Sequence, residues 1–266
     1  MEQEQVKKLS AWFDDYVAGF YGDDKFVNAN LNLKDRHSRR VCQEMQYLSD
    51  QVKLTDNQRR IAEAIALFHD IGRFKQFASY RTYNDGRSID HCLLGLEVLR
   101  ETKALNGVAP EEKELIERAI EYHGRKVLPA GLNGDCLLFS KLIRDADKID
   151  VLYVVTEYYR RYRDNPSSFM LELEFPDSPT YSTEMVEAIL RGELLDYGKL
   201  RTLNDMRLLQ LGWVYDINFA ATLKRIMRRR FLEMLLDFLP QTEDIKKVKE
   251  KIFAYVDFRI RQEKQD

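Results

Sequence analysis

Leu67-Phe68-His69-Asp70-Ile71-Gly72-Arg73-Phe74 is the stretch on which the reading of this 266-residue chain turns. An apolar run delivers a histidine and an aspartate side by side, and a glycine follows two residues later. Upstream, Thr55-Asp56-Asn57-Gln58 has the form of a capping box, with the threonine accepting from the helix and the glutamine reaching back. Ile61, Ile65 and Phe68 then fall on one helical stripe, which carries His69 inward beside them. Neighbouring helical residues diverge by about a hundred degrees, so His69 and Asp70 converge only where the helix loosens, before Gly72. A carboxylate has two oxygens, so Asp70 is able to bridge two ions where an imidazole binds one.

Outward from this stretch helical spacing dominates, and strand-like alternation is hard to find. A segment over about 3–20 carries Val6, Leu9, Trp12, Phe13, Val17 and Phe20, and Gly22-Asp23-Asp24 ends it. A second helix over about 34–51 aligns Val41, Met45 and Leu48 with His37 on the same face. Residues 75–89 are polar and contain the turn signal Asn84-Asp85-Gly86. Asp90 caps a helix to about 103, with His91, Leu94 and Val98 near one face. Pro110 and the glutamates after it open another, ending at His123-Gly124. Gly134-Asp135 starts a helix to about 163, and helices near 181–192, 204–212, 214–239 and 242–262 follow. Asn165-Pro166-Ser167-Ser168 and Pro176-Asp177-Ser178-Pro179 frame a loop-like region, the best candidate for a lid or insertion. The expectation is an all-α fold in a single domain, 1–266, with a C-terminal helical extension over about 165–266.

Composition narrows the function. Hydrophobic residues make up 44% and charged residues 32%, and the net charge of −2 supplies no overall field for a nucleic-acid polymer or an anionic membrane. Arg228-Arg229-Arg230 reads as a solvated helix face. The start Met1-Glu2-Gln3-Glu4 lacks the features of a signal peptide, and no run of about 18 apolar residues exists to cross a bilayer. Cys42, Cys92 and Cys136 are odd in number and far apart, which reads as reduced thiols in a cytoplasm. Cys92 adjoins His91, but adjacent helical residues point apart, so packing is expected of it rather than ligation.

All four histidines, His37, His69, His91 and His123, lie in the first half of the chain and on apolar faces. A lone histidine so placed is more often a hydrogen-bonded core residue. Four sharing the pattern, with a His-Asp pair and a later acidic cluster, point instead to a buried metal centre. That cluster, Arg144-Asp145-Ala146-Asp147-Lys148-Ile149-Asp150, is interleaved with apolar residues, and buried carboxylates need a cation. Imidazole and carboxylate together suit a borderline or hard divalent ion.

The order His37, His69-Asp70, Asp147 resembles the HD-domain superfamily of metal-dependent phosphohydrolases, whose signature is H…HD…D in an all-α core. His69-Asp70-Ile71-Gly72 is similar to its "HDIG" stretch, and Ala146-Asp147-Lys148-Ile149-Asp150 to its closing motif. The second motif match, and not spacing, points to Asp147 over Asp145. The resemblance covers about 30–155 and implies an HD-like helical core there. It implies one ion held by His37, His69, Asp70 and Asp147. A second falls to Asp70, His91 and His123, the two extra histidines matching members with dinuclear sites. The metal is left open among manganese, iron, nickel, cobalt, zinc and magnesium.

The implied activity is hydrolysis of a nucleotide or other small phosphorylated metabolite by a metal-activated water. Asp70, Arg73, Lys148 and Asp150 are the candidate catalytic residues, with Asp150 orienting a ligand or the water. Arg73, Arg125, Lys126 and Lys148, each beside a motif, are the candidate cations for substrate phosphate. The same six ligands are similar to those of diiron oxygenases of the superfamily, the inositol-oxygenase-like and phosphonate-cleaving members. The basic neighbours favour the phosphate reading. The GYP stretch and further histidines of the cyclic-dinucleotide phosphodiesterases are absent. The sequence leaves the oligomeric state open.

Overall fold

The computed structural model describes residues 1–166 and 175–262, and among them every regular element is helical. The helices are α1 (Gln3–Ala18), α2 (Lys25–Gln51), α3 (Asp56–Phe68), α4 (Gly72–Tyr80), α5 (His91–Glu101), α6 (Pro110–His123), α7 (Gly134–Asp164), α8 (Thr183–Arg191), α9 (Leu203–Gly212), α10 (Ala220–Arg228), α11 (Phe231–Asp237) and α12 (Glu243–Gln262). The chain divides into two compact units, Met1–Asp150 and Val151–Asp266. No helix is long and apolar enough to cross a membrane.

In the first unit α3 is the central strut. The capping box forms as the sequence predicts, with Thr55 Oγ1 accepting from Gln58 N and Gln58 Oε1 from Thr55 N. Ala62, Ala64, Ile65, Ala66 and Phe68 are fully buried, and the alanines let neighbouring helices come close. α1, α2 and α6 pack on α3, α4 on α2 and α5, and α5 on α6. Phe13 of α1 lies 5.8 Å from Phe74 and 6.4 Å from Phe68, ring to ring. Each such side chain contributes roughly 1.5–3 kcal/mol by leaving water.

Two elements depart from the pattern expected of the sequence. α2 begins at Lys25, well ahead of 34, because Asp24 caps it by accepting from Phe26 N and Val27 N. The weak helix formers Asn28, Asn30 and Asn32 obscure this turn. Buried Asn30 is accommodated by donating to Phe26 O at 2.9 Å. Residues 72–80, which run into the polar, turn-bearing segment 75–89, form α4, which stops at Arg81 in the left-handed region (φ 56°). Gly72 has a packing reason: a Cβ there would fall 2.3 Å from His91 O and 2.6 Å from Gly95 N. The glycine lets the start of α5 close onto the start of α4.

The second unit has its own core, including Ile189, Leu208, Leu211, Leu223, Ile226, Leu232, Leu235, Val248, Ile252 and Val256. α12 packs on α8 and α10, and α9 on α8 and α11. Asp205, fully buried, accepts from Ser182 N, Ser182 Oγ, Arg201 N and Thr202 N, closing the turn before α9 onto the start of α8. The helix expected over 214–239 is broken. Trp213–Asp216 is a 3-10 turn, and Arg230 (φ 58°) separates α10 from α11. Residues 167–174 of the loop-like candidate lie outside the described residues.

Candidate metal centre

Four helices and the turn after α3 converge on one buried point. His37 comes from the middle of α2, His69 and Asp70 from the turn between α3 and α4, and His91 from the first residue of α5. His123 is the last residue of α6, and Asp147 and Asp150 stand on α7. The backbone stays right-handed through 69–72, with Ile71 N bonded to Phe68 O and Arg73 N to Asp70 O. The long imidazole and the short carboxylate still converge, with His69 Nε2 3.7 Å from Asp70 Oδ2.

Two donor sets are present. In the first, His37 Nε2 lies 3.2 Å from His69 Nε2, 3.4 Å from Asp70 Oδ2 and 3.1 Å from Asp147 Oδ1. His69 Nε2 is 3.7 Å from Asp147 Oδ1. In the second, His91 Nε2 lies 3.2 Å from His123 Nε2, and the two are 3.6 and 3.7 Å from Asp70 Oδ1. Around an ion held at about 2.1 Å, neighbouring donors stand about 3.0–3.4 Å apart, the edges of an octahedron and a tetrahedron. Both sets fit that spacing to within a few tenths of an ångström. Asp70 gives one oxygen to each.

Every imidazole is turned the same way. His37 Nδ1 donates to Asp150 Oδ2 at 2.7 Å, His69 Nδ1 to Ala66 O at 2.8 Å, His91 Nδ1 to Asp85 Oδ2 at 2.6 Å and His123 Nδ1 to Ile120 O at 2.7 Å. With the proton on Nδ1, each Nε2 lone pair faces the centre, the arrangement that metal-ligating histidines use. Asp150 is held in turn by Arg40, and Asp85 by Arg73 and Gln76. Arg144, buried on α7, donates to the carbonyls of His123, Arg125 and Lys126 and so fixes the end of α6.

The electrostatics favour cations. Burial pushes the Asp70 carboxyl up, but Lys34 and the imidazoles hold it well below the usual carboxylate range. Burial acts likewise on Asp147, and hydrogen bonds from His37 and His69 hold it well below that range. Burial and Lys34 push the His37 imidazole down, and Asp147, Asp150 and Asp70 outweigh them, raising it to about 10. A field that binds a proton this strongly also suits a divalent ion. The donor set is nitrogen and oxygen, matching a borderline or hard metal.

The six residues that the sequence nominates as ligands are thus gathered at one place, with Asp150 behind His37. Arg73 Nε lies 3.5 Å from Asp70 Oδ1, while its Nη1 donates to Gln76 Oε1, Tyr83 O and Asp85 Oδ1. Lys148 is half-buried beside Asp147. Arg125, just past the end of α6, pairs back onto Glu121 at 2.5 Å and lies over the Tyr122 ring, and Lys126 is exposed. Cys92 Sγ, buried, lies 3.4 Å from His91 Nε2 and 3.6 Å from His123 Nδ1. Lys34, Arg40, Asp85 and Arg144 escaped the sequence reading. Lys34 and Arg40 sit three residues either side of His37, one helical turn away, and that spacing was the available signal.

Residues 35–152 match the family model described as HD domain. No curated protein and no solved structure matches the chain. The family is made up mostly of metal-dependent hydrolases whose members bind divalent metals, and the His/Asp clusters fit this. Over residues 35–152 the chain is similar to the HD domain family, and that span holds the histidine, the His-Asp pair and Asp147 that gather around the buried point.

Proposed function

We propose that the chain is a metal-dependent phosphohydrolase acting on a nucleotide or other small phosphorylated metabolite, with an ion at each of the two donor sets. The observation that carries the two-ion part of the reading is the division of Asp70, Oδ2 toward His37 and His69 and Oδ1 toward His91 and His123. The basic residues beside the motifs favour phosphate. Paired divalent ions would supply a nucleophile from water near neutral pH and neutralise charge on the phosphoryl oxygens.

The chain's own residues do the remaining work. His37, His69 and Asp147 hold one set in register and His91 and His123 the other, with Asp70 common to both. Asp150 and Asp85 keep the imidazoles of His37 and His91 in the ligating tautomer. Arg73, Lys148, Arg125 and Lys126 are assigned to the substrate's remaining phosphate charge. A small substrate, with no nucleic-acid polymer and no membrane, agrees with the net charge of −2.

The test is phosphate release from nucleoside mono-, di- and triphosphates and sugar phosphates by metal-stripped protein reloaded with Mn²⁺, beside Asp70→Ala. Turnover abolished in the variant supports the reading. Substrate-dependent oxygen uptake by iron-loaded protein, with no phosphate released across the panel, would replace it with a diiron oxygenase.

A further inference from the structure

Lys34 lies on α2 one turn before His37, and its Nζ reaches Asp70 Oδ2 at 2.7 Å. Its side chain is only 15% exposed, and Nζ stands 5.3 Å from the centroid of the Tyr83 ring. Tyr83 is itself fixed. Its hydroxyl donates to Asn30 O at 2.8 Å and its ring packs on Phe77 at 4.5 Å. The ammonium is therefore held in place beside the donor sets, between a carboxylate oxygen and an aromatic face.

Burying an ammonium is costly unless it is paired. Among the described residues Asp70 is the acidic group it bonds. That same oxygen faces His37 and His69, so it belongs to the first donor set. The flanking carboxylates have their own cations, Arg40 on Asp150 and Arg73 on Asp85. Among the described residues Asp70 and Asp147 are the carboxylates that face the imidazole Nε2 atoms. With a divalent ion at each set the centre is already positive, so Lys34 is not needed to neutralise Asp70. It adds positive charge, and an ammonium has three N–H donors of which the carboxylate takes one.

We propose that Lys34 is a substrate-binding residue that donates to a phosphoryl oxygen of a phosphate monoester dianion seated at this centre. The identity of the anion rests on the hydrolase reading above. A dianion complements the surplus positive charge and has enough oxygens to meet both Lys34 and the donor sets. A neutral polyol would leave the ammonium unmatched.

Inorganic phosphate is the probe. Its affinity for Co²⁺-loaded protein is read from the visible spectrum in wild type, Lys34→Met and Lys34→Arg, with bound metal counted and folding checked by circular dichroism. Loss of a charge-assisted hydrogen bond predicts binding weaker by about tenfold or more in Lys34→Met. Lys34→Arg is expected to recover most of it, and all three proteins to hold the same metal per chain. Undiminished phosphate affinity in Lys34→Met, or no binding by wild type, overturns the proposal. So does metal loss in Lys34→Met, which would make Lys34 only a charge partner of Asp70. The hydrolase reading fails separately. If phosphate binds through Lys34 yet no phosphoester in the panel is cleaved, hydrolysis falls and the anion site stands.

Discussion

His37 donates from Nδ1 to Asp150 Oδ2 at 2.7 Å across 113 residues of sequence, tying the middle of α2 to α7 behind the metal centre. His91 and Asp85 make the matching contact at 2.6 Å on the other side. One carboxylate thus stands behind each donor set.

These two contacts separate the sets experimentally. Asp150→Asn should weaken metal binding at the His37 set and Asp85→Asn at the His91 set, each by about 10–100-fold. Calorimetric titration of the two variants with Mn²⁺ should show one weakened step apiece. Equal weakening of both steps by either variant would mean that the sets are not separately supported.

Gly72→Ala should destabilise the protein by about 2 kcal/mol or more, because the added methyl meets the backbone of α5 and not a flexible side chain. Urea unfolding measures it. The metal affinity at the His91 set should fall with it, since His91 O is the nearest atom to the new methyl. A neutral substitution would contradict the close approach of α4 and α5.

Metal affinity should rise with pH. An imidazole ligates only when its Nε2 is unprotonated, and the carboxylates around His37 raise its pKa to about 10. The sign follows. Below that value a proton must leave before an ion enters, so lowering the pH strengthens the competitor and weakens binding. Titration between about pH 6 and 8 should show proton release on metal addition. Affinity independent of pH would show that protons do not compete at this set.

The ligand residues were legible because each histidine shares a periodic apolar face or adjoins one, as His69 does after Ile61, Ile65 and Phe68. Asp147 was chosen over Asp145 by motif resemblance. The structure shows what spacing could not: Asp145 is fully buried, while Asp147 Oδ1 reaches both His37 and His69. α4 is hidden because it has no side-chain cap and begins on a glycine that reads as a breaker. The role of Asp85 was invisible within a turn signal, since the Asn84-Asp85-Gly86 run already has a local explanation. Its bond to His91 depends on where α4 carries Arg73 and Gln76. Lys34 has no motif, and only the tertiary approach of Asp70 gives it a partner.

The most direct test of the account is the number of Mn²⁺ ions per chain, by elemental analysis and electron paramagnetic resonance, in wild type, His91→Ala and Asp70→Ala. The account predicts two exchange-coupled ions in wild type, one in His91→Ala, and loss of the coupled signal in Asp70→Ala, with no more than one ion retained. Two coupled ions surviving in Asp70→Ala, or a single ion in wild type at saturation, would contradict the assignment of Asp70 to both donor sets.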